Sequence, residues 1–144
     1  MVEYAVFSSI GDRDTNEDTA KVFENKRLNS YGFALADGLG GHGNGDIASE
    51  FVVNCVGAAV ENTNSFGGIF IDQCFDRAQE MLMEEKERTG YASIKTTLVL
   101  LLIGDDGVAR WGHIGDSRLY HFRRRKLLHR TLDHSVPQML VESG

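Results

Sequence analysis

The spacing of apolar residues changes period along this chain, and the order of those changes limits the fold more than any single residue does. Val2, Tyr4 and Val6 alternate with polar or small residues, and Thr19 to Phe23 alternates again. Each pattern predicts a strand. Asn25 to Ser30 is a polar turn, and Tyr31 to Ala36 is a mostly apolar strand ending at Asp37. The period then lengthens. Ile47, Ala48, Phe51, Val52, Cys55, Val56, Ala59 and Val60 lie on one helical face, with Asp46 expected as its N-cap. Phe70, Ile71, Cys74, Phe75, Ala78, Met81 and Leu82 lie on a second, with Gly90 placed to end it.

Strand signals then return: Thr96 to Ile103, a hairpin turn at Gly104-Asp105-Asp106-Gly107, a partner strand through Val108, Trp111 and Ile114, and Leu119 to Phe122. Trp111 is expected in the core. Arg123 to Lys126 forms a hairpin tip and Leu127-Leu128 the return. Ser135-Val136-Pro137-Gln138 opens a last helix that Gly144 would cap. Strands grouped apart from helices and joined by hairpins predict an α+β fold with mostly antiparallel sheet, not a βαβ winding.

Composition excludes several classes. At 144 residues, 42% hydrophobic and 25% charged, the chain fits one ordered domain, 1–144, and not a disordered or fibrous segment. The longest strictly aliphatic run, Leu98 to Ile103, is too short to span a bilayer, so no membrane partner is expected. The first residues do not resemble a secretory signal, and Cys55 and Cys74 have no metal or redox spacing. A reducing, cytoplasmic setting is the expectation. The surplus of 21 Asp and Glu over 15 Lys and Arg, a net charge of −6, argues against nucleic acid as a partner.

Five of the 16 glycines fall in eight residues, Gly38 to Gly45, directly after the strand that ends at Asp37. They include a literal G-x-G-x-x-G, but a dinucleotide site would need a second parallel strand after the first helix, and here a second helix follows. A carboxylate at the end of a buried strand is costly unless a cation or donor neutralises it. Asp37 beside backbone carbonyls freed by glycine outlines a hard-oxygen site for magnesium or manganese rather than zinc. Two further acidic turns can converge on it: Gly11-Asp12-Arg13-Asp14-Thr15-Asn16-Glu17-Asp18, and Gly115-Asp116-Ser117-Arg118. Arg13, set among acids, has the planar fork that suits a phosphate.

Gly11-Asp12-Arg13 with Asn16-Glu17-Asp18, Ala36-Asp37-Gly38-Leu39-Gly40-Gly41-His42, Thr96-Thr97-Leu98, Gly115-Asp116-Ser117-Arg118 and Thr131-Leu132-Asp133-His134-Ser135 resemble, in this order, the metal-dependent serine/threonine phosphatases of the PP2C type, bacterial members in particular. The resemblance runs from about Val2 to Gly144. It implies a four-layer αββα sandwich of two mostly antiparallel sheets flanked by helices, with a two-metal centre between the sheets. Carried over residue by residue, Asp37 would bridge two Mn2+ or Mg2+ ions and Gly38 would offer its carbonyl to one. Glu17 and Asp18 would hold metal-bound waters, Arg13 would grip the substrate phosphate, and Asp116 would attend a third, weaker ion. The implied reaction is hydrolysis of phosphoserine and phosphothreonine in proteins, including a protein kinase's targets, by a metal-bridging hydroxide.

Two features depart from the family pattern. Leu39 stands where many members have a histidine proposed as general acid, and His42 follows three residues later; Lys95 stands where a glycine is usual. The family's domain also continues into later strands that carry two more metal-ligand aspartates. The expectation is therefore a sandwich incomplete at its C-terminal end, with an inactive truncated fragment or pseudophosphatase as the alternative to an active enzyme. Such a chain would leave strand edges open to self-association. The basic tip Arg123 to Lys126 reads as a solvated turn, and His113, His121 and His129 as structural histidines.

Overall fold

The computed structural model describes residues 1–39 and 43–134. His42, the helix expected from Ser135 and the cap expected at Gly144 lie outside the described residues. The elements are β1 (Asp18–Asn25), β2 (Ser30–Asp37), α1 (Gly45–Asn62), α2 (Phe70–Thr89), β3 (Leu98–Ile103), β4 (Ala109–Ile114), β5 (Tyr120–Arg123) and β6 (Lys126–Arg130). β1 to β4 form an antiparallel sheet in sequence order, and β5 and β6 form an antiparallel hairpin.

The pleat of β2 explains how the helices sit. Gly32, Ala34 and Ala36 point to one face and are buried, so a helix backbone can approach closely there. Val52, Val53, Val56 and Val60 of α1 close on that face together with Leu100 and Leu102 of β3, the two leucines being wholly buried. Each such side chain removed from water contributes about 1.5–3 kcal/mol. α2 packs on α1 through Cys74, Ala78 and Leu82 and ends at Gly90, whose φ of 70° is the left-handed cap its position predicts.

On the opposite face, Phe33, Leu35, Val99 and Leu101 border an apolar groove of about 290 Å³ with Val6, Phe7 and Leu119. The β5–β6 hairpin lies on this side, where His121 and His129 pack on Trp111 with ring centroids 6.1 and 5.4 Å apart. Helices, four-stranded sheet and hairpin are thus three successive layers of the α+β sandwich, built from two antiparallel sheets.

Four local expectations are corrected. Val2 to Val6 is not a strand, because it has no ladder partner among the described residues; its one aromatic anchor is Tyr4, edge-on to Phe33 at 5.7 Å. The N-cap of α1 is Asn44, and Asp46 lies in the first turn, where its charge complements the helix dipole. Trp111 is half-buried beneath the hairpin and outside the helix-side core, because neighbouring Gly112 takes the face toward Ile71 and Phe75. Asn25 is more than a turn residue. It is wholly buried, donates to the carbonyls of Val60 at 2.7 Å and Thr63 at 2.9 Å, and accepts from the Leu28 N–H. It thereby ties the β1–β2 turn to the end of α1.

Candidate metal centre

The antiparallel register of β1 and β2 sets Asp18 directly opposite Asp37. Like charges in such a cross-strand pair destabilise a sheet unless a cation lies between them. Burial raises the Asp37 carboxyl above its ordinary value, and the Asp18 charge and hydrogen bond raise it further. Asp116, in the turn after β4, adds to the rise, and Arg13 opposes it. Asp18 and Arg13 therefore adjoin Asp37 at the end of β2, and the charge of the Asp116 turn is felt there.

The backbone around Asp37 is held from both sides. Its N–H donates to Thr97 Oγ1 at 2.9 Å and its carbonyl accepts from Thr97 N–H at 2.9 Å. Thr97 is 3% exposed, and its hydroxyl stands 2.6 Å from Ser117 Oγ, in the turn that carries Asp116. On the other side, the Gly38 N–H donates to the Glu17 carbonyl at 3.0 Å. Asn16 Oδ1 accepts from Asp18 N–H at 3.0 Å, which fixes the start of β1.

Gly38 is required here by contact. A Cβ at this position would lie 2.0 Å from the Gly45 carbonyl oxygen, so only glycine lets the end of β2 meet the start of α1. The Glu17 carboxylate lies against the same junction, where a Cβ on Gly45 would come within 2.8 Å of its Oε1.

These groups line an open cleft of about 660 Å³ whose walls include Arg13, Asn16, Glu17, Asp18, Asp37, Gly38, Leu39 and Lys95. Of the residues singled out from the sequence, Arg13, Glu17, Asp18, Asp37 and Gly38 share this cleft, and Asp116 reaches it through its charge. His42 lies outside the described residues.

The donors are hard oxygens carrying surplus negative charge, the chemistry that magnesium and manganese prefer. Among the described residues no three His, Cys, Asp or Glu side chains converge on one point, so they supply part of a coordination shell. The residues present fit such an ion in donor type.

Thr97 and Ser117, quoted from the sequence only within motifs and given no role there, are joined directly behind the Asp37 backbone, and the Asp46 Oδ1 is buried without a hydrogen-bond partner among the described residues. The described histidines make packing and hydrogen-bond contacts outside the cleft. His113 Nε2 is 2.7 Å from the Leu132 carbonyl and its ring stacks on His134, while His121 and His129 pack on Trp111.

Residues 8–136 match the family described as protein phosphatase 2C. The chain belongs to that family. Among curated relatives, protein phosphatase PhpP of Streptococcus pneumoniae is 31% identical over 99% of this chain, and the serine/threonine phosphatase stp of Listeria monocytogenes is 33% identical over 92%. The chain spans 59% and 54% of the length of those two relatives. Among solved structures, serine/threonine phosphatase Stp1 from Staphylococcus aureus superposes with a TM-score of 0.77 at 29% identity, over 96% of this chain and 56% of that one. The family likeness thus includes the cleft, since the matched residues run from the acidic turn before β1 past the turn of Asp116.

Proposed function

We propose that the cleft at the end of β2 is the phosphate-hydrolysing centre of a metal-dependent protein serine/threonine phosphatase, and that residues 1–144 are the N-terminal portion of its catalytic domain. The observation that carries this reading is the cross-strand pairing of Asp18 with Asp37 beside Arg13 in one cleft, where burial first and then the Asp18 and Asp116 charges raise the Asp37 carboxyl against the opposing charge of Arg13.

In this reading Asp37 and the Gly38 carbonyl would hold Mn2+ or Mg2+, Glu17 and Asp18 would hold metal-bound water, and Asp116 would serve a third, weaker ion. When bound, such ions supply charge neutralisation for the phosphoryl oxygens and an activated water. Arg13 orients the phosphate through its planar fork and stabilises charge on its oxygens as the bond to the leaving serine or threonine breaks. The open cleft admits a side-chain phosphate on a protein surface, which is the substrate class proposed. β1 and β4 are the outer strands of the main sheet, and pairing between copies through them belongs to the same reading.

A second reading is favoured by one observation, that no three acidic or histidine side chains converge among the described residues. In it the chain keeps the fold without turnover. Phosphate release from a phosphothreonine peptide, followed with and without Mn2+, separates the two. Metal-dependent release, lost in Asp37→Asn and reduced about 10²–10³-fold in Arg13→Ala, supports the phosphatase. No release from a chain that still melts cooperatively supports the inactive form.

A further inference from the structure

The tip of the β5–β6 hairpin breaks local rules at four consecutive positions. Its two central residues, Arg124 and Arg125, have φ of 50° and 64°. Both therefore occupy the left-handed region of a two-residue turn that favours Asn-Gly, and neither has a short side chain to satisfy the backbone there. The flanking residues Arg123 and Lys126 are direct cross-strand partners, so two like charges face each other at the neck of the turn. All four side chains are exposed. None of the four forms an ion pair among the described residues, although Arg110 and Arg118 on neighbouring elements each do.

Where several local preferences are broken together and nothing among the described residues compensates, the compensation is sought in a partner. Three of the four cations are guanidinium groups, which bind carboxylate or phosphate through paired N–H donors. The mount is firm. His121 and His129 pack on Trp111, the Leu119 N–H donates to Thr131 Oγ1 at 3.0 Å, and Arg118 holds Asp133 through two bonds of 2.7 Å. A rigid mount lowers the ordering cost of binding at the tip.

We propose that the tip Arg123–Lys126 is a docking point for an acidic, carboxylate-rich peptide segment of a partner protein. The chain's net charge of −6 opposes an extended polyanion such as nucleic acid or an anionic bilayer, whereas a short acidic peptide meets only the local cluster. The base of the hairpin lies by the Asp116 turn, where the His134 N–H donates to the Gly115 carbonyl, and the tip is the hairpin's other end, so docking there leaves the cleft open.

The test uses the 144-residue chain and a fluorescein-labelled, unphosphorylated peptide of about a dozen residues rich in Asp and Glu, followed by anisotropy at low ionic strength. Arg124→Asn with Arg125→Gly gives the turn its preferred residues. The expected result is a higher melting temperature together with peptide binding weakened about tenfold or more, and wild-type binding that falls steeply as salt rises. The proposal is overturned if the double variant binds as the wild type does, if a Gln/Asn-rich peptide binds equally well, or if single-stranded DNA or vesicles containing phosphatidylserine bind more tightly than the acidic peptide. The assay needs no metal and no turnover, so its outcome is independent of the phosphatase reading.

Discussion

Thr97 Oγ1 and Ser117 Oγ stand 2.6 Å apart, and through that contact the turn carrying Asp116 is joined to the backbone of Asp37. The two residues are 20 positions apart and come from different strand ends. Thr97→Val keeps the shape but removes the hydroxyl, leaving the Asp37 N–H and Ser117 hydroxyl without this partner. The expected cost is about 1–3 kcal/mol in urea unfolding. Groups that support ligands from behind set metal affinity by about 10–100-fold, so Mn2+ binding in calorimetry should weaken by at least the lower figure. Thr97→Ser should restore both; failure of serine to rescue would point to packing instead.

The raised Asp37 carboxyl has a definite sign for stability. Burial first, then the neighbouring Asp18 and Asp116 charges, make the folded chain hold that proton more tightly than the unfolded chain does. Such a group adds stability below its ordinary value of 3.8 and loses it as pH rises through the higher folded value. In metal-free buffer Asp37→Asn should therefore melt above the wild type at neutral pH, and the advantage should vanish in acid. Calorimetric scans across that range check both limits.

Asp133 behaves in the opposite sense. Its two bonds from Arg118 hold its carboxyl below the usual range, with the hydrogen bond as the leading cause. Stability from this pair is present above the ordinary 3.8 and is lost as pH falls through the lowered folded value. Asp133→Asn should lower the melting temperature at neutral pH and have no effect once the wild-type carboxyl is protonated.

Gly57 marks the contact of α1 with β1. A Cβ there would lie 2.2 Å from the Phe23 ring, so the gain of about 0.5–1 kcal/mol that alanine usually brings to a helix is overridden by an overpacking cost of about 1–3 kcal/mol. Gly57→Ala should destabilise the chain to urea, and adding Phe23→Leu should recover part of the loss.

The strands, the two long helices and the hairpins were legible because apolar period and turn residues report them directly. Asp18, Asp37 and Asp116 were legible for a related reason: each sits where a strand meets a turn, and register brings such ends together. The Thr97–Ser117 contact left no periodic trace, since a hydroxyl pair depends on two strand ends meeting in space. Val2 to Val6 shows the reverse error. Alternation describes a face, but a strand also needs a backbone partner, which sequence periodicity does not reveal. Gly43-Asn44-Gly45-Asp46 offers two good capping residues two positions apart, so the start of α1 was misplaced within a single turn.

The central claim is that Asp37 anchors a divalent cation site in the acidic cleft. Titration of the metal-free chain with Mn2+, followed by the loss of the free-ion electron paramagnetic resonance signal, tests it without requiring turnover. The account predicts saturable binding by the wild type, abolished in Asp37→Asn and weakened in Asp18→Asn. Equal Mn2+ binding by wild type and Asp37→Asn, or none by either folded protein, would contradict it.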